Sequence, residues 1–387
     1  MISLGESPLT ARDRGLTAAL LQRLEGEVPP PFSVRRFLPL PTLSYGPGDL
    51  HTGAPGERDF GAHVDQTNYS VVVGEQVVVK WLTPPLPLPH PTPDVFAHLV
   101  EAGFNDTAPP YAALTGLLNG RDHLLALITG YLPEARDGWE WCVDDTASGT
   151  TTFATHLGHL TADLHLALST LALSTLDKAD LGRGVDRSSA GAEGSPAAVR
   201  AEAALAEALR LTDGEDGEWL ATRVEDMRQE LAALREPAVV PAKSPLIRIH
   251  GDLHVGQILK WRNGYAIIDF DGNPTITGED PHQPAARDIA QLTTSLEHVA
   301  QVAIKRRGTP PGQAATWARR ARAELLAAYK ARLEERQRPD LLDERLIRPF
   351  EVEQECRELI YAARHLPRWR YAPMGVLRTW YPEENYA

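Results

Sequence analysis

The stretch HGDLHVGQILKWRNGYAIIDFDGNP, residues 250–274, sets oxygen-bearing side chains on both sides of two predicted strands. Asp252 and Gln257 precede the first strand; Asp269 and Asp271 follow the second. Such a grouping suits Mg²⁺, which takes oxygen ligands in a tight octahedron, keeps several waters and leans on one or two carboxylates plus substrate phosphates. The Gln257 carbonyl oxygen and Asp269 fit that role. Asp271 lies two residues on and shares the face of Asp269 if the strand continues. Asp252, five residues before Gln257, is expected across a cleft, where it can aim an acceptor hydroxyl and take its proton. An aspartate for the hydroxyl, an amide and a second aspartate for the metal are the working parts of kinase-type phosphoryl transfer. Either aspartate alone could cap a turn; the ordered set argues for chemistry.

Strand register decides whether Gln257 and Asp269 can share an ion. A two-residue Asn-Gly turn at Asn263-Gly264 would pair Ile258 with Asp269 and put the two ligands on opposite faces. A three-residue loop with Gly264 in the left-handed conformation pairs Gln257 with Asp269 on one face. The second arrangement is the expectation. Lys80, at the far end of an earlier hairpin strand, supplies positive charge for the α and β phosphates. No GxxxxGK[ST] stretch is present, so a P-loop is not expected. His250 and His254 share an HxxxH spacing, but the segment leaves a strand and no third ligand is near, so His250 is read as a brace for the loop rather than a zinc ligand. Asp288 opens a helix and is read as capping its dipole.

The elements that must position these residues fall into a β-rich first third and a helical remainder interrupted by one small sheet. LTAALLQRLEG reads as a short helix, SVRRFLPL as a strand, and SYGPGDLHTGAPGERDFG as a Gly/Pro-rich loop. NYSVVVGEQVVVKWL places two β-branched runs around Gly74-Glu75, which suits a type II′ hairpin. DVFAHLVEAGF is helical and HLLALITGYLP is a strand running into an irregular segment. Residues 176–196 are polar and Gly/Ser-rich and read as a mobile loop; helices dominate from 285 to 366. This order predicts an α+β protein of two lobes with a cleft between them.

The 387 residues carry a formal charge of −13, with 43% apolar and 24% charged residues. General affinity for nucleic acid or an anionic membrane is not expected from such a balance. Only Cys142 and Cys356 are present, which fits a reducing cytoplasm. No signal peptide and no run of about 18 apolar residues is visible, so no membrane span is expected.

HGDLHVGQIL with AIIDFDGNP closely resembles the maltokinase branch of the aminoglycoside phosphotransferase-like kinases. GYLPEARDGWEW, LGHLTADLHLAL and ELIYAARHLPRW are similar to that branch's hinge and Asp-Gly-Trp-Glu signature, its first large C-lobe helix and its last helix. Aminoglycoside phosphotransferases normally carry Asn where this chain has Gln257, and maltokinases carry Gln. Maltokinases read DFEGEP where this chain reads DFDGNP; that change and the tail HLPRWRYAPMGVLRTWYP resemble the actinobacterial glucosamine kinases.

The resemblance implies a bilobal eukaryotic-protein-kinase-like fold. Its N-terminal lobe would span 1–132, with a cap over about 1–62 and a nucleotide-binding sheet over about 63–132; the catalytic and sugar-binding lobe would span 133–387. It implies ATP as co-substrate, Mg²⁺ as cofactor and Asp252 as catalytic base. Lys80 would bind the nucleotide phosphates, with Asp94 pairing to it and Glu101 as second choice. The backbone of Gly130 and Leu132 would hold adenine. Gln257 and Asp269 would hold the metal, Glu358 would fall in the sugar site, and His254 would point toward it. For an amino sugar, one carboxylate at hydrogen-bond distance would favour the ammonium form over glucose. Glu358 leads that assignment, Gln354 could share its face one turn earlier, and Tyr361 and Trp369 could wall the ring, although each of these residues also suits ordinary helix surface or core. The reaction implied is γ-phosphoryl transfer to O6 of glucosamine by a monomeric cytoplasmic enzyme. The alternatives are a maltokinase making maltose 1-phosphate, an aminoglycoside phosphotransferase, and a nucleotide-binding protein without catalysis.

Overall fold

The structure is a computed structural model. It describes residues 15–24, 26–43, 56–59, 68–171, 195–235, 245–272 and 281–382, with backbone alone at 3–4 and 7–8. Part of the expected cap, and most of the Gly/Pro-rich loop and of the stretch 176–196, lie outside the described residues. The chain divides into two compact units, one of residues 1–135 with 261–268, the other of 136–260 with 269–387. The division falls three residues beyond the expected lobe boundary, and it assigns a short segment after residue 260 to the first unit.

In the first unit a helix, α1 (Leu16–Leu24), packs on a sheet. Its strands are β1 (Phe32–Arg36), β2 (Glu57–Asp59), β3 (Tyr69–Val73), β4 (Val77–Pro87), β5 (Pro110–Leu118) and β6 (Arg121–Gly130), with α2 (Thr92–Glu101) between β4 and β5. Among the described residues they form one six-stranded sheet in the order β1-β5-β6-β4-β3-β2, and the pairs are antiparallel. Alternation decides the faces. Val71, Val73, Val77, Val79, Ala112, Leu114, Ala126 and Ile128 pack with Ala18, Leu21 and Leu24 of α1. Residues of the other parity, Lys80 among them, therefore point to the opposite face. The β3–β4 turn corrects the expected type II′: Gly74 (φ 61°) and Glu75 (φ 52°) both take positive φ, the type I′ pattern.

The second unit is helical: α3 (Gly138–Ser148), α4 (Thr152–Leu168), α5 (Pro196–Leu211), α6 (Gly214–Leu231), α7 (Ala286–Arg307), α8 (Pro311–Glu335), α9 (Ile347–Arg364) and α10 (Tyr371–Trp380). Helix α7 is buried on nearly every side over its first three turns, as a central core helix should be. Its core joins Ile289 and Ala290 of α7 with Tyr329, Phe350, Val352, Leu359 and Leu377 from α8, α9 and α10. Cys142 and Cys356 are buried and unpaired. Among the described residues no helix is long and apolar enough to cross a membrane.

Candidate active site

A two-residue strand, Ile247–Arg248, pairs with His282–Gln283 and delivers the chain into the loop that carries Asp252. That loop is held by its backbone. Asp288, in the first turn of α7 and 0% exposed, accepts from the amide of His250 at 2.7 Å and from the amide of Gly251 at 2.9 Å. Its Oδ2 also meets His165 Nε2 at 3.1 Å, and His165 Nδ1 meets the Tyr329 hydroxyl at 2.7 Å. Burial alone would push the Asp288 carboxyl up; the His165 bond, nearby histidine charge and the Gly251 amide hold it below the ordinary carboxylate range. Asp288 does lie in the first turn, where the dipole reading puts it, but the loop amides give it a further role. The carboxylate is also the buried anchor of the loop that carries Asp252, and nothing in its local sequence reveals this second role.

Beyond Gly251 (φ +85°) the loop turns through Asp252 and His254 into a 3₁₀ turn, Val255–Gln257. The His250 ring packs on Phe270 at 5.1 Å, and His250 Nδ1 accepts from the Asp252 amide at 3.3 Å, so His250 does brace the loop. Phe270 is buried while Asp269 and Asp271 flank it on its exposed side. A Cβ on Gly251 would come within 3.7 Å of the Gly272 Cα, so the two acidic loops touch there through bare backbone.

Loop packing, rather than strand register, places Gln257 and Asp269. The strands Ile258–Trp261 and Gly264–Ile267 are joined by Arg262 and Asn263, and Gln257 and Asp269 both lie outside them. Gln257 sits in the 3₁₀ turn before the first strand, and Asp269 lies beyond the second at φ +65°. Because the strand stops at Ile267, Asp271 does not share a strand face with Asp269. Asp252 is not across a cleft from Gln257 either: the Gln257 side chain hydrogen-bonds its carboxylate. A carboxylate only accepts, so the Gln257 NH₂ faces Asp252 and its carbonyl oxygen is left for an ion.

Burial drives the Asp252 carboxyl up to about 6; the Glu358 and Asp269 carboxylates add to this, while His250 and the Gln257 bond oppose it. Oxygen donors with surplus negative charge suit Mg²⁺. Among the described residues no group of three or more His, Cys, Asp or Glu is arranged to hold a metal.

His254 Nδ1 accepts from the Gly256 amide at 3.0 Å, which leaves the ring proton on Nε2, 3.8 Å from Asp252 Oδ2. Burial lowers the His254 pKa, more than the surrounding carboxylates raise it, so the ring is neutral. Glu358 of α9 accepts from Gln354 Nε2 at 3.1 Å and from Trp369 Nε1 at 2.7 Å. Trp369 is thus a donor to Glu358. Tyr361 lies apart, 40% exposed, with its ring on His365 at 5.4 Å.

The Asp-Gly-Trp-Glu signature has a physical role that its sequence did not reveal. Asp137 caps α3 by accepting from the Trp139 amide at 2.7 Å. A Cβ on Gly138 would lie 1.6 Å from the Val255 carbonyl oxygen, so only glycine lets α3 dock on the loop. Trp139 then stands 5.9 Å from the His254 ring and 5.8 Å from that of Trp369.

In the first unit, Lys80 pairs across β4 with Ser70 and Leu127. The partner that the structure gives Asp94 is Arg35, at 2.5 Å, rather than Lys80; the side chain is 58% exposed and turned toward β1. The Gly130 amide donates to the Pro109 carbonyl at 2.7 Å and is therefore committed internally. Among the described residues no hydrogen bond occupies the backbone of Leu132.

A model of the phosphotransferase enzyme family matches residues 62–272. A glucosamine kinase of Streptacidiphilus jiangxiensis is 39% identical over 357 residues, 87% of this chain and 76% of that protein. One from Mycolicibacterium smegmatis is 36% identical over 338 residues, 84% of this chain and 79% of that protein. Among solved structures, a glucosamine kinase in complex with glucosamine, ADP and inorganic phosphate matches at TM-score 0.70 and 34% identity, over 90% of this chain and 82% of that one. The chain belongs to the phosphotransferase enzyme family.

Proposed function

We infer that this chain is an ATP-dependent glucosamine kinase that transfers the γ-phosphoryl group to O6 of the sugar, giving glucosamine 6-phosphate. The observation that carries the substrate is Glu358, a carboxylate bonded on both oxygens by Gln354 and Trp369 and close enough to Asp252 to raise its pKa. A pinned anion beside the base is the group an ammonium at C2 would meet, and glucose would leave its charge unpaired. Two relatives and one solved structure bearing the name glucosamine kinase support the same reading.

Asp252 receives the O6 hydroxyl, orients it and accepts its proton as the bond from O6 to the γ phosphorus forms and the bond to the ADP oxygen breaks. Raised to about 6 by burial, it is ionised at neutral pH yet basic enough to take that proton. The neutral His254, 3.8 Å away, adds no positive charge that would lower the basicity of the carboxylate. Gln257 through Oε1 and Asp269 would hold Mg²⁺, with Asp271 as a further carboxylate; the ion, when bound, offsets charge on the β and γ phosphates. Lys80 contributes positive charge toward the nucleotide phosphates, and Leu132 offers its backbone to adenine. The net charge of −13 and the two unpaired thiols accord with a monomer working on a cationic sugar in a reducing cytoplasm.

ADP release measured over glucosamine, glucose, maltose and aminoglycosides tests this reading, with the product's phosphate position assigned by NMR. Glucosamine should be preferred at least tenfold, with phosphate on C6. Turnover of maltose or of an aminoglycoside ahead of glucosamine would overturn it.

A further inference from the structure

Behind Glu358 lies a pair that the reaction does not use. His298 of α7 is 3% exposed and Glu355 of α9 is 0% exposed. Nε2 of His298 meets Glu355 Oε2 at 3.0 Å, while the other oxygen, Oε1, has no hydrogen-bond partner among the described residues. His298 is therefore the group that satisfies Glu355. Burial would lower His298, but Glu355, Glu358 and Glu297 reverse this and lift it to about 9; burial moves Glu355 upward too, so the pair keeps its proton through the neutral range.

The same imidazolium meets the Trp369 ring at 5.6 Å and 68°, nearly edge to face. Trp369 in turn donates to Glu358, and Glu358 lies three residues after Glu355, on the same face of α9. The contacts close a circuit: Glu355 to His298, His298 to Trp369, Trp369 to Glu358, and back along the helix. An indole held only by its N–H could pivot about that bond. Trp139 at 5.8 Å and Tyr371 at 6.0 Å also flank the ring, and the T-shaped contact with His298, itself fixed by Glu355, limits that pivot from the α7 side.

We propose that His298, through its buried bond to Glu355, is a positioning residue for amine recognition, fixing Trp369 so that its N–H keeps Glu358 aimed at the substrate ammonium. This rests on the reading of Glu358 as the amine's partner. His298 does not touch substrate; it acts through Trp369.

The test uses the full chain with glucosamine as substrate and glucose as competitive inhibitor. His298→Leu should raise KM for glucosamine about tenfold, with kcat within about twofold and the Ki of glucose unchanged. His298→Gln, which restores a donor at the Nε2 position, should recover most of the loss. Trp369→Phe, which removes the N–H, should reproduce the His298→Leu effect, and the double variant should be no worse than Trp369→Phe alone. Additive effects, or an unchanged KM in a folded His298→Leu protein, would overturn the inference. Should His298→Leu not fold, Glu355→Gln decides by the same KM-against-kcat split. Glu358→Gln separates the two readings. If it leaves glucosamine preference intact, the amine assignment fails; if it abolishes preference while His298→Leu does not, only the positioning role fails.

Discussion

Lys80 stands on β4, paired on one side to Ser70 and on the other to Leu127, and the pleat alone decides which face it presents. Asp252 stands in a loop without a ladder. Its direction depends on Gly251 at positive φ, on Phe270 under His250, and on the buried Asp288 that takes two consecutive loop amides. The placement of a strand residue is thus set by the backbone ladder. The loop residues stand or fall with groups that never meet substrate. In the proposed mechanism the strand-borne charge needs only to be present, whereas Asp252 must be aimed, and the aiming is done by buried polar groups that stability alone would not favour.

Replacing the aimed group itself should give the largest effect. Asp252→Asn keeps the shape and an acceptor for Gln257 but not the basicity, so kcat should fall by about 10³-fold or more. Stability should move the other way. A carboxyl raised from 3.8 to about 6 in the folded state contributes most at low pH, and that contribution is lost as pH rises through about 6. At neutral pH the charged Asp252 thus destabilises the fold by up to about 3 kcal/mol. The Asn variant should melt several degrees higher at pH 7.5, with the gap closing toward pH 4. An unchanged or lowered Tm at neutral pH would show that Asp252 is not a desolvated carboxylate.

Removing the anchor comes next. Asp288→Ala leaves the amides of His250 and Gly251 and the buried His165 without their acceptor, a loss of about 3–5 kcal/mol. In thermal melts Tm should fall on the order of 10 °C, and kcat should fall with it. Because Asp288 is held below the ordinary carboxylate range, its contribution is full at neutral pH and is lost as pH falls through its depressed pKa. The gap between wild type and variant should narrow below about pH 3.9. A variant that kept its Tm but lost activity would mean that the anchor aims the loop without holding the core.

The strand residue should behave in the opposite way. Lys80→Met should lower kcat/KM for ATP by about 10²-fold and leave Tm within about 2 °C. Urea unfolding with activity measured in parallel checks both. A large stability loss would erase the distinction between the two modes of placement.

The same distinction explains what the sequence could reveal. The runs YSVVV and VVVKWL alternate plainly, so the hairpin, its faces and the position of Lys80 follow from period two. The spacing of HGDLHVGQ and DFDG identified the acidic groups, and the structure does bring Asp252 near both Gln257 and Asp269. How they meet was not legible. Pattern reasoning assigned it to strand register, whereas positive φ at Gly251 and Asp269 and a buried Phe270 achieve it. Asp288, His165 and Tyr329 come from three helices, at separations of 123 and 164 residues between partners, and no local pattern links them. Gly138 was visible as part of a signature, but its reason, the Val255 carbonyl packed against it, is a contact between distant segments.

The smallest effect distinguishes backbone conformation from space in holding the loop. At Gly251 there is room: a Cβ would meet only the Gly272 Cα, at an ordinary 3.7 Å, but φ is +85°. At Gly138 a Cβ would lie 1.6 Å from a carbonyl oxygen. Gly251→Ala should therefore lose only the left-handed penalty, about 1 kcal/mol, seen as a fall in Tm of about 2–4 °C with kcat reduced severalfold. Gly251→Asn should lose less, because asparagine visits that region readily. Gly138→Ala should lose more than either, since α3 must move off the loop. If Gly251→Asn proved worse than Gly251→Ala, close approach of the two acidic loops, rather than φ, would be the constraint at residue 251, and Asp252 would be aimed by packing after all.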